Sequence, residues 1–283
     1  MNRRLIVLVI TLACALANCK KDKYIAPLPP PSGPVNPQNA PPSSDKPLLK
    51  DIVTPHLPSP YYHFEYDTAG VMIKADFASD FFMYNLVYDQ GRLSEVQNNT
   101  FVNRDKMKYI YDSDGKVAAV NYAHEDKRVF RRCFLTFDAT RLQKIEWELW
   151  DSIHFVPERT LTFTYQQDGN ITEMNDQRFA VGNQTAAVTI DRYEGYDDKI
   201  NKDGFSIIKP DFFDHVLLLP GVTFQKNNPG KITHTGDGVN YTVGYTYTYN
   251  NNNVPTNRTG DFVYTNGNEA GRHFVVGEIY TYY

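Results

Sequence analysis

The chain has 283 residues, of which 22% are charged and 14% aromatic, with three cysteines and a formal net charge of −4. Residues 61–283 hold 22 basic against 30 acidic side chains, a balance that repels nucleic acid and anionic lipid at long range and argues against nucleic-acid binding. The length allows a domain with a substantial core, and the few cysteines exclude a disulfide scaffold.

In chain order, Met1-Asn2-Arg3-Arg4 is a basic start, and Leu5 to Ala17 is an apolar run. About a dozen residues cannot cross a bilayer that needs roughly 20, so the run reads as a secretory signal. Leu16-Ala17-Asn18-Cys19 ends it. This segment resembles the lipobox of bacterial lipoproteins, in which cleavage before cysteine frees a residue to be acylated. The resemblance implies a signal peptide over residues 1–18, lipidation of Cys19 and attachment to a membrane. The alternatives are a secreted chain cut near Ala15 to Asn18 with Cys19 unmodified, or acylation at Cys14. Several acyl chains anchor firmly where one holds marginally. With Cys14 removed and Cys19 lipidated, Cys133 has no partner for an intramolecular disulfide.

Residues 24–60 hold 12 of the 17 prolines, including Pro29-Pro30-Pro31 and Pro41-Pro42. Such a stretch favours extended polyproline conformations at about 3.1 Å per residue and builds no core. Residues 19–60 therefore read as a linker, a semi-rigid stalk, and residues 61–283 as one β-sheet domain.

Within that domain five segments repeat one pattern: apolar residues ending in an aromatic, a polar turn, then two apolar residues three apart. They are Phe64 to Gly70, Leu86 to Leu93, Tyr109 to Val117, Leu135 to Leu142 and Phe163 to Ile171. Each reads as a β-hairpin that needs neighbours for cover. Asp side chains bond their own backbone and Gly supplies positive φ, so Asp112-Ser113-Asp114-Gly115 closes a turn with little strain. The pairs Leu93 and Val96, Val117 and Val120, and Ile171 and Met174 break strict alternation. A bulge early in each returning strand would bring both members to the core.

Residues 196–230 interrupt the pattern. A short helix from about Asp211, after Pro210, to before Pro220 is the expectation there. Alternation resumes in Val243, Tyr245, Tyr247 and Tyr249, with Gly244, Thr246 and Thr248 between them. The predicted fold is all-β, a long twisted antiparallel meander of about 12–14 strands curling toward an open barrel, with one short helical insertion.

The Tyr-Asp-x-x-Gly-x-Leu units resemble the tyrosine-aspartate repeats of Rhs-type proteins. Their succession with Tyr196-Asp197-Asp198-Lys199-Ile200-Asn201, Gln225-Lys226-Asn227-Asn228-Pro229-Gly230-Lys231-Ile232, Tyr245 to Asn250 and Val254-Pro255-Thr256 is similar to a family of Bacteroidota surface lipoproteins of unknown function. That resemblance covers residues 61–283. It implies a porin-like β-sheet and an envelope location, and brings no catalytic residues. Lys20-Lys21-Asp22-Lys23 is similar to the charged stretch that sends lipoproteins of that phylum to the cell surface. Asp67-Thr68-Ala69 and Asp151-Ser152-Ile153 fit its O-glycosylation pattern, at Thr68 and Ser152.

No catalytic constellation, metal site or cofactor motif is expected. The seven histidines are scattered without ligand spacing. Glu146 and Glu148 share one face of a strand whose other face carries Trp147 and Leu149, the pattern of a polar exterior rather than a glycosidase pair. Asp211, Asp214 and His215 have no nucleophile beside them. The surplus is tyrosine, 20 residues. Tyr245, Tyr247, Tyr249, Tyr280, Tyr282 and Tyr283 are the candidates for an aromatic binding face, against a structural role in tiling the sheet. The expected function is a non-enzymatic, lipid-anchored binding or adhesion module for glycan or protein. A structural envelope lipoprotein docking a membrane complex is the alternative, and a polysaccharide-acting enzyme the least favoured reading.

Overall fold

The computed structural model describes residues 47–283 apart from 102, 139–140, 203–206 and 209–216. The strands are β1 (Leu49–Val53), β2 (Tyr62–Tyr66), β3 (Met72–Phe77), β4 (Phe82–Asp89), β5 (Arg92–Asn98) and β6 (Lys106–Tyr111). Then come β7 (Val117–Ala123), β8 (Val129–Asp138), β9 (Arg141–Trp150), β10 (Phe155–Tyr165), β11 (Ile171–Arg178) and β12 (Ala187–Glu194). The chain continues through β13 (Ile207–Ile208), β14 (Leu217–Leu218), β15 (Lys231–Gly236), β16 (Tyr241–Tyr249), β17 (Pro255–Tyr264) and β18 (His273–Tyr282).

All five repeat segments form hairpins, β2–β3 through β10–β11, and each has its bulge. Val87 faces Glu95 while Tyr88 faces Leu93, so Ser94 is the extra residue; Ala118 is skipped in the same way between Ile110↔Ala119 and Tyr111↔Val117. The other three hairpins shift register at the equivalent step. The extra residue places Leu93 with Val96, and Val117 with Val120, in the core together. The Asp of two turns acts as anticipated: Asp67 Oδ1 accepts from the Ala69 and Val71 N–H groups, and Asp112 Oδ1 from those of Asp114 and Lys116, all at 2.9 Å.

The repeated aromatic has a second task. The Tyr88 hydroxyl donates to the Met72 carbonyl at 2.7 Å, Tyr111 to Leu93 at 2.8 Å and Tyr165 to Leu142 at 2.8 Å, each time reaching the start of the preceding hairpin's returning strand. Tyr196 continues the series to Ile171 at 2.7 Å. After the three middle turns a cation covers the next ring: Arg92 lies 5.6 Å from Tyr111, Lys116 5.4 Å from Phe137 and Arg141 5.7 Å from Tyr165. Hairpins are thus stitched to one another.

Every barrel strand pairs antiparallel with its neighbour in the chain, β12 pairs β15 across the insertion, and β1 pairs β18 to close a barrel of sixteen strands. This is more strands than predicted, and a closed rather than an open sheet. The extra strand at the start lies inside the segment read as stalk. Leu49 and Ile52 are core residues, and Pro47 and Pro55 flank β1, where the ladder needs no donor. The signal peptide, Cys19 and most of the linker lie outside the described residues. So does most of the expected helix, including Asp211, Asp214 and His215. Its described end, Leu217–Leu218, is a strand paired with β13 rather than helical. The one helical turn among the described residues is a 3-10 turn at Gly267–Glu269.

Through most of the barrel, apolar residues point inward and polar ones outward. Phe64, Tyr84, Val96, Met107, Val120, Ile145 and Leu161 fill the lumen, where each large side chain contributes roughly 1.5–3 kcal/mol by leaving water. Leu217, Leu218, Leu219 and Phe224 of the insertion join this core. The outer wall carries cross-strand ion pairs, Lys106–Glu95 at 3.1 Å, Arg132–Glu148 at 2.7 Å, Arg192–Glu173 at 2.9 Å and Lys231–Glu194 at 3.3 Å, and the pair Lys144–Glu146 at 3.0 Å along β9. A lipid-facing barrel has the reverse pattern, and each Lys or Arg at the bilayer midplane would cost about 2–4 kcal/mol. This wall suits water.

Candidate functional site

The two ends of the barrel differ. The five repeat turns, the Asn250 turn between β16 and β17, the start of β1 and the end of β18 lie at one end. The remaining connections lie at the other, which we call the mouth.

The turn end is closed. The insertion leaves β12 there and reaches into the lumen, where the Tyr109 hydroxyl donates to the Leu218 carbonyl at 2.7 Å and the Phe224 ring lies 4.9 Å from Phe163. Amide side chains fasten it. Asn170 Oδ1 accepts from the Lys226 and Asn227 N–H groups at 2.7 and 3.0 Å, and Asp197 accepts from the Asn228 amide at 3.2 Å and from the Tyr249 hydroxyl.

The mouth has a different lining. On β8, β10, β11 and β12 inward positions near this end are charged, whereas β9 between them carries Trp147 and Leu149. Arg131 donates to both oxygens of Glu158 at 2.7 Å, and Arg159 to both of Asp176 at 2.8 Å, with Arg178 on Asp176 at 3.3 Å. Asp191 lies 2.6 Å from His234 Nδ1. Burial pushes the Asp191 carboxyl up, and His234 counters it. These groups are not sealed, since Arg159 and Arg178 keep 17% and 27% of their side-chain surface open.

On β15 to β18 the same level is aromatic. His234 stacks on Tyr241 at 4.7 Å, Tyr241 meets Phe262 at 5.7 Å, Phe262 stacks on Phe274 at 4.9 Å and 10°, and Phe274 meets Tyr264 at 5.8 Å. Burial pushes the Tyr241 phenol up to about 12, with Asp191 adding to the shift. Phe274 shares the inward phase of buried Tyr280 yet is 40% exposed. The β1–β18 ladder ends at Val53↔Ile279, so no strand runs beside Phe274 on that side. Below this level, Arg258 pairs with Glu278 at 2.6 Å. Outside it, mouth loops carry exposed apolar tips at Leu57, Phe81, Phe101, Ile153 and Val239, whereas the five repeat turns carry none among the described residues.

The tyrosines singled out from sequence share the inward phase but sit toward the closed end. Tyr247 donates to the Pro229 carbonyl at 3.0 Å, Tyr282 to that of Pro255 at 2.6 Å and Tyr280 to Glu278 at 2.8 Å. Tyr245 carries the Arg258 guanidinium 4.9 Å from its ring. These are pins of the wall, with Tyr280 fully inside; Tyr283 alone is broadly exposed. Thr68 and Ser152 stand in exposed turns at opposite ends. Glu146 and Glu148 are outward and ion-paired, and Cys133 is buried in the core. No group of three or more metal-ligating side chains occurs among the described residues. Sequence reading missed the mouth residues. Their signal was an inward phase turning polar at the same end of successive strands, as in Met174, Asp176 and Arg178.

A closed sixteen-stranded barrel with one plugged end and one polar, aromatic mouth defines the class. No protein-family model matches the chain, and no curated protein matches it. Among solved structures the chain is similar to a porin-like protein from Bacteroides vulgatus, at TM-score 0.56 and 13% identity over 84% of this chain and 99% of that one. A porin-like protein from Bacteroides uniformis matches at TM-score 0.52 and 14% identity over 78% and 89%. These likenesses are of fold.

Proposed function

We propose that this chain is a non-catalytic binding or adhesion module of the bacterial envelope, anchored in the outer membrane through lipidated Cys19 and presenting the barrel mouth at the cell surface to a glycan or protein. The supporting observation is the asymmetry of the barrel. Residue 47 enters beside the closed end, where the Tyr283 N–H donates to the Leu48 carbonyl at 3.0 Å. The mouth therefore faces away from the segment that would carry the anchor and stalk. Surface presentation is favoured over the periplasmic face by the Lys20-Lys21-Asp22-Lys23 resemblance.

A structural lipoprotein docking an envelope complex is the second reading, favoured by the apolar loop tips Phe81, Phe101 and Ile153. A polysaccharide-acting enzyme would need a free acid and base, whereas Asp176 and Asp191 are each held by a cation or imidazole partner.

The test has two arms. Cys19→Ala in the full chain should move the protein out of the membrane fraction and abolish palmitate labelling; continued labelling refutes the anchor. The detergent-extracted full chain, applied to arrays of glycans and of purified envelope proteins, should bind a ligand whose retention weakens on mouth substitution. Capture of one envelope complex insensitive to mouth changes would favour the structural reading instead.

A further inference from the structure

The geometry points to a neutral glycan, an uncharged and hydroxyl-rich chain, as the ligand of the mouth; this rests on the reading of the barrel as a binding module. Charge comes first. Each cation lining the lumen at the mouth already has a carboxylate: Arg131 has Glu158, and Arg159 and Arg178 share Asp176, while Arg104 and Lys127 belong to the outer loops. Asp191 is engaged by His234. A charged ligand would have to take one member of such a pair, leaving the other unmatched in a half-buried site, which is strongly unfavourable. A sugar hydroxyl donates and accepts at once, so it can join a paired carboxylate or guanidinium without separating it.

Shape comes second. Phe274 is packed on one face by Phe262 and has no strand beside the other, which leaves an apolar ring face at the lip of the lumen. A sugar presents an apolar C–H face and a rim of hydroxyls. Laid on Phe274, it turns that rim toward Asp191 and the Arg159–Asp176–Arg178 group across the mouth. An extended peptide meets its partner best at a free strand edge. The ring is closed except along His273–Glu278 of β18, which pairs with β17 alone, and the peptide arm of the titration probes that edge.

The experiment is calorimetric titration of the detergent-extracted full chain with three probe sets: neutral hexose oligosaccharides, uronate-bearing oligosaccharides of equal length, and short peptides. The expected result is binding of a neutral set with an affinity that changes less than twofold between low and high salt. Phe274→Ala should weaken it at least tenfold, and Phe274→Tyr should restore most of it. Asp176→Asn should weaken it as well, without abolishing the fold signal by circular dichroism. Preference for the uronate set with salt-sensitive affinity, or for peptides, overturns the assignment while leaving a binding module at the mouth. Neutral-glycan binding indifferent to Phe274→Ala overturns it too. If no ligand of any class responds to mouth substitution, the binding-module reading itself falls.

Discussion

Asp176 should be the costliest single charge to remove from this barrel. It is buried, and its two oxygens take both Arg159 donors at 2.8 Å while Arg178 stands at 3.3 Å. At about 4 Å between charge centres and an effective dielectric near 20, one such pair is worth roughly 4 kcal/mol of attraction. Deleting one partner of a buried pair costs about 3–5 kcal/mol because the other remains dehydrated and unmatched. Arg159 and Arg178 keep some contact with water, so the lower end applies, about 3 kcal/mol for Asp176→Ala. For a domain of this size that is a fall in Tm of roughly 6–12 °C. Urea melts of the full chain, Asp176→Ala, Arg159→Ala and the double variant form the assay. The double variant should cost clearly less than the sum of the singles. A loss below about 1 kcal/mol, or strict additivity, would refute the view that these charges are half-buried and mutually dependent.

Tyr109→Phe removes the hydroxyl that reaches the Leu218 carbonyl inside the lumen; we expect a loss of about 1–3 kcal/mol and faster proteolysis within residues 196–230, read by mass spectrometry of limited digests. Gly236 sits at φ 128°, and a Cβ there would lie 2.2 Å from the Val188 carbonyl oxygen and 2.8 Å from the Thr189 Cα. Gly236→Ala should therefore destabilise the β12–β15 seam by about 3 kcal/mol in the same melts, and an unchanged midpoint would contradict the register. Burial raises the phenols of Tyr62, Tyr109, Tyr111, Tyr122 and Tyr247, so the folded chain keeps protons that the unfolded chain loses above about pH 10. Stability from these groups is full below that pH and falls as pH rises through it. Beyond the absorbance of exposed Tyr283, phenolate absorbance should appear together with loss of the strand signal in circular dichroism, and these buried phenols ionising in the intact barrel would count against the burial.

Much of the fold was legible because it is local. Period-2 alternation marked the strands, the Tyr-Asp-x-x-Gly turns marked the hairpins, and the three-residue spacing of Leu93 with Val96 marked a bulge before any pairing was seen. What misled was the proline count, which hid β1 because two prolines flank a five-residue strand without entering it. The tyrosine surplus was visible, but it pointed to Tyr245, Tyr247 and Tyr249, while the open aromatic arc uses Tyr241 at the other end of the same strand and face. Alternation reports the face a residue occupies; it carries no information about which end of the barrel is stoppered.

The residues alone determined the hairpins, their turns, their bulges and the inward phase of the apolar side chains, since each depends on contacts within about twenty positions along the chain. Only the tertiary structure decided that Leu49 meets Tyr282 to close the barrel, that the insertion fills the end where the turns lie, and that charges from four strands and rings from four gather at the opposite mouth. Closure depends on twist accumulated over sixteen strands and on where the insertion finds room, and no short stretch of sequence encodes either.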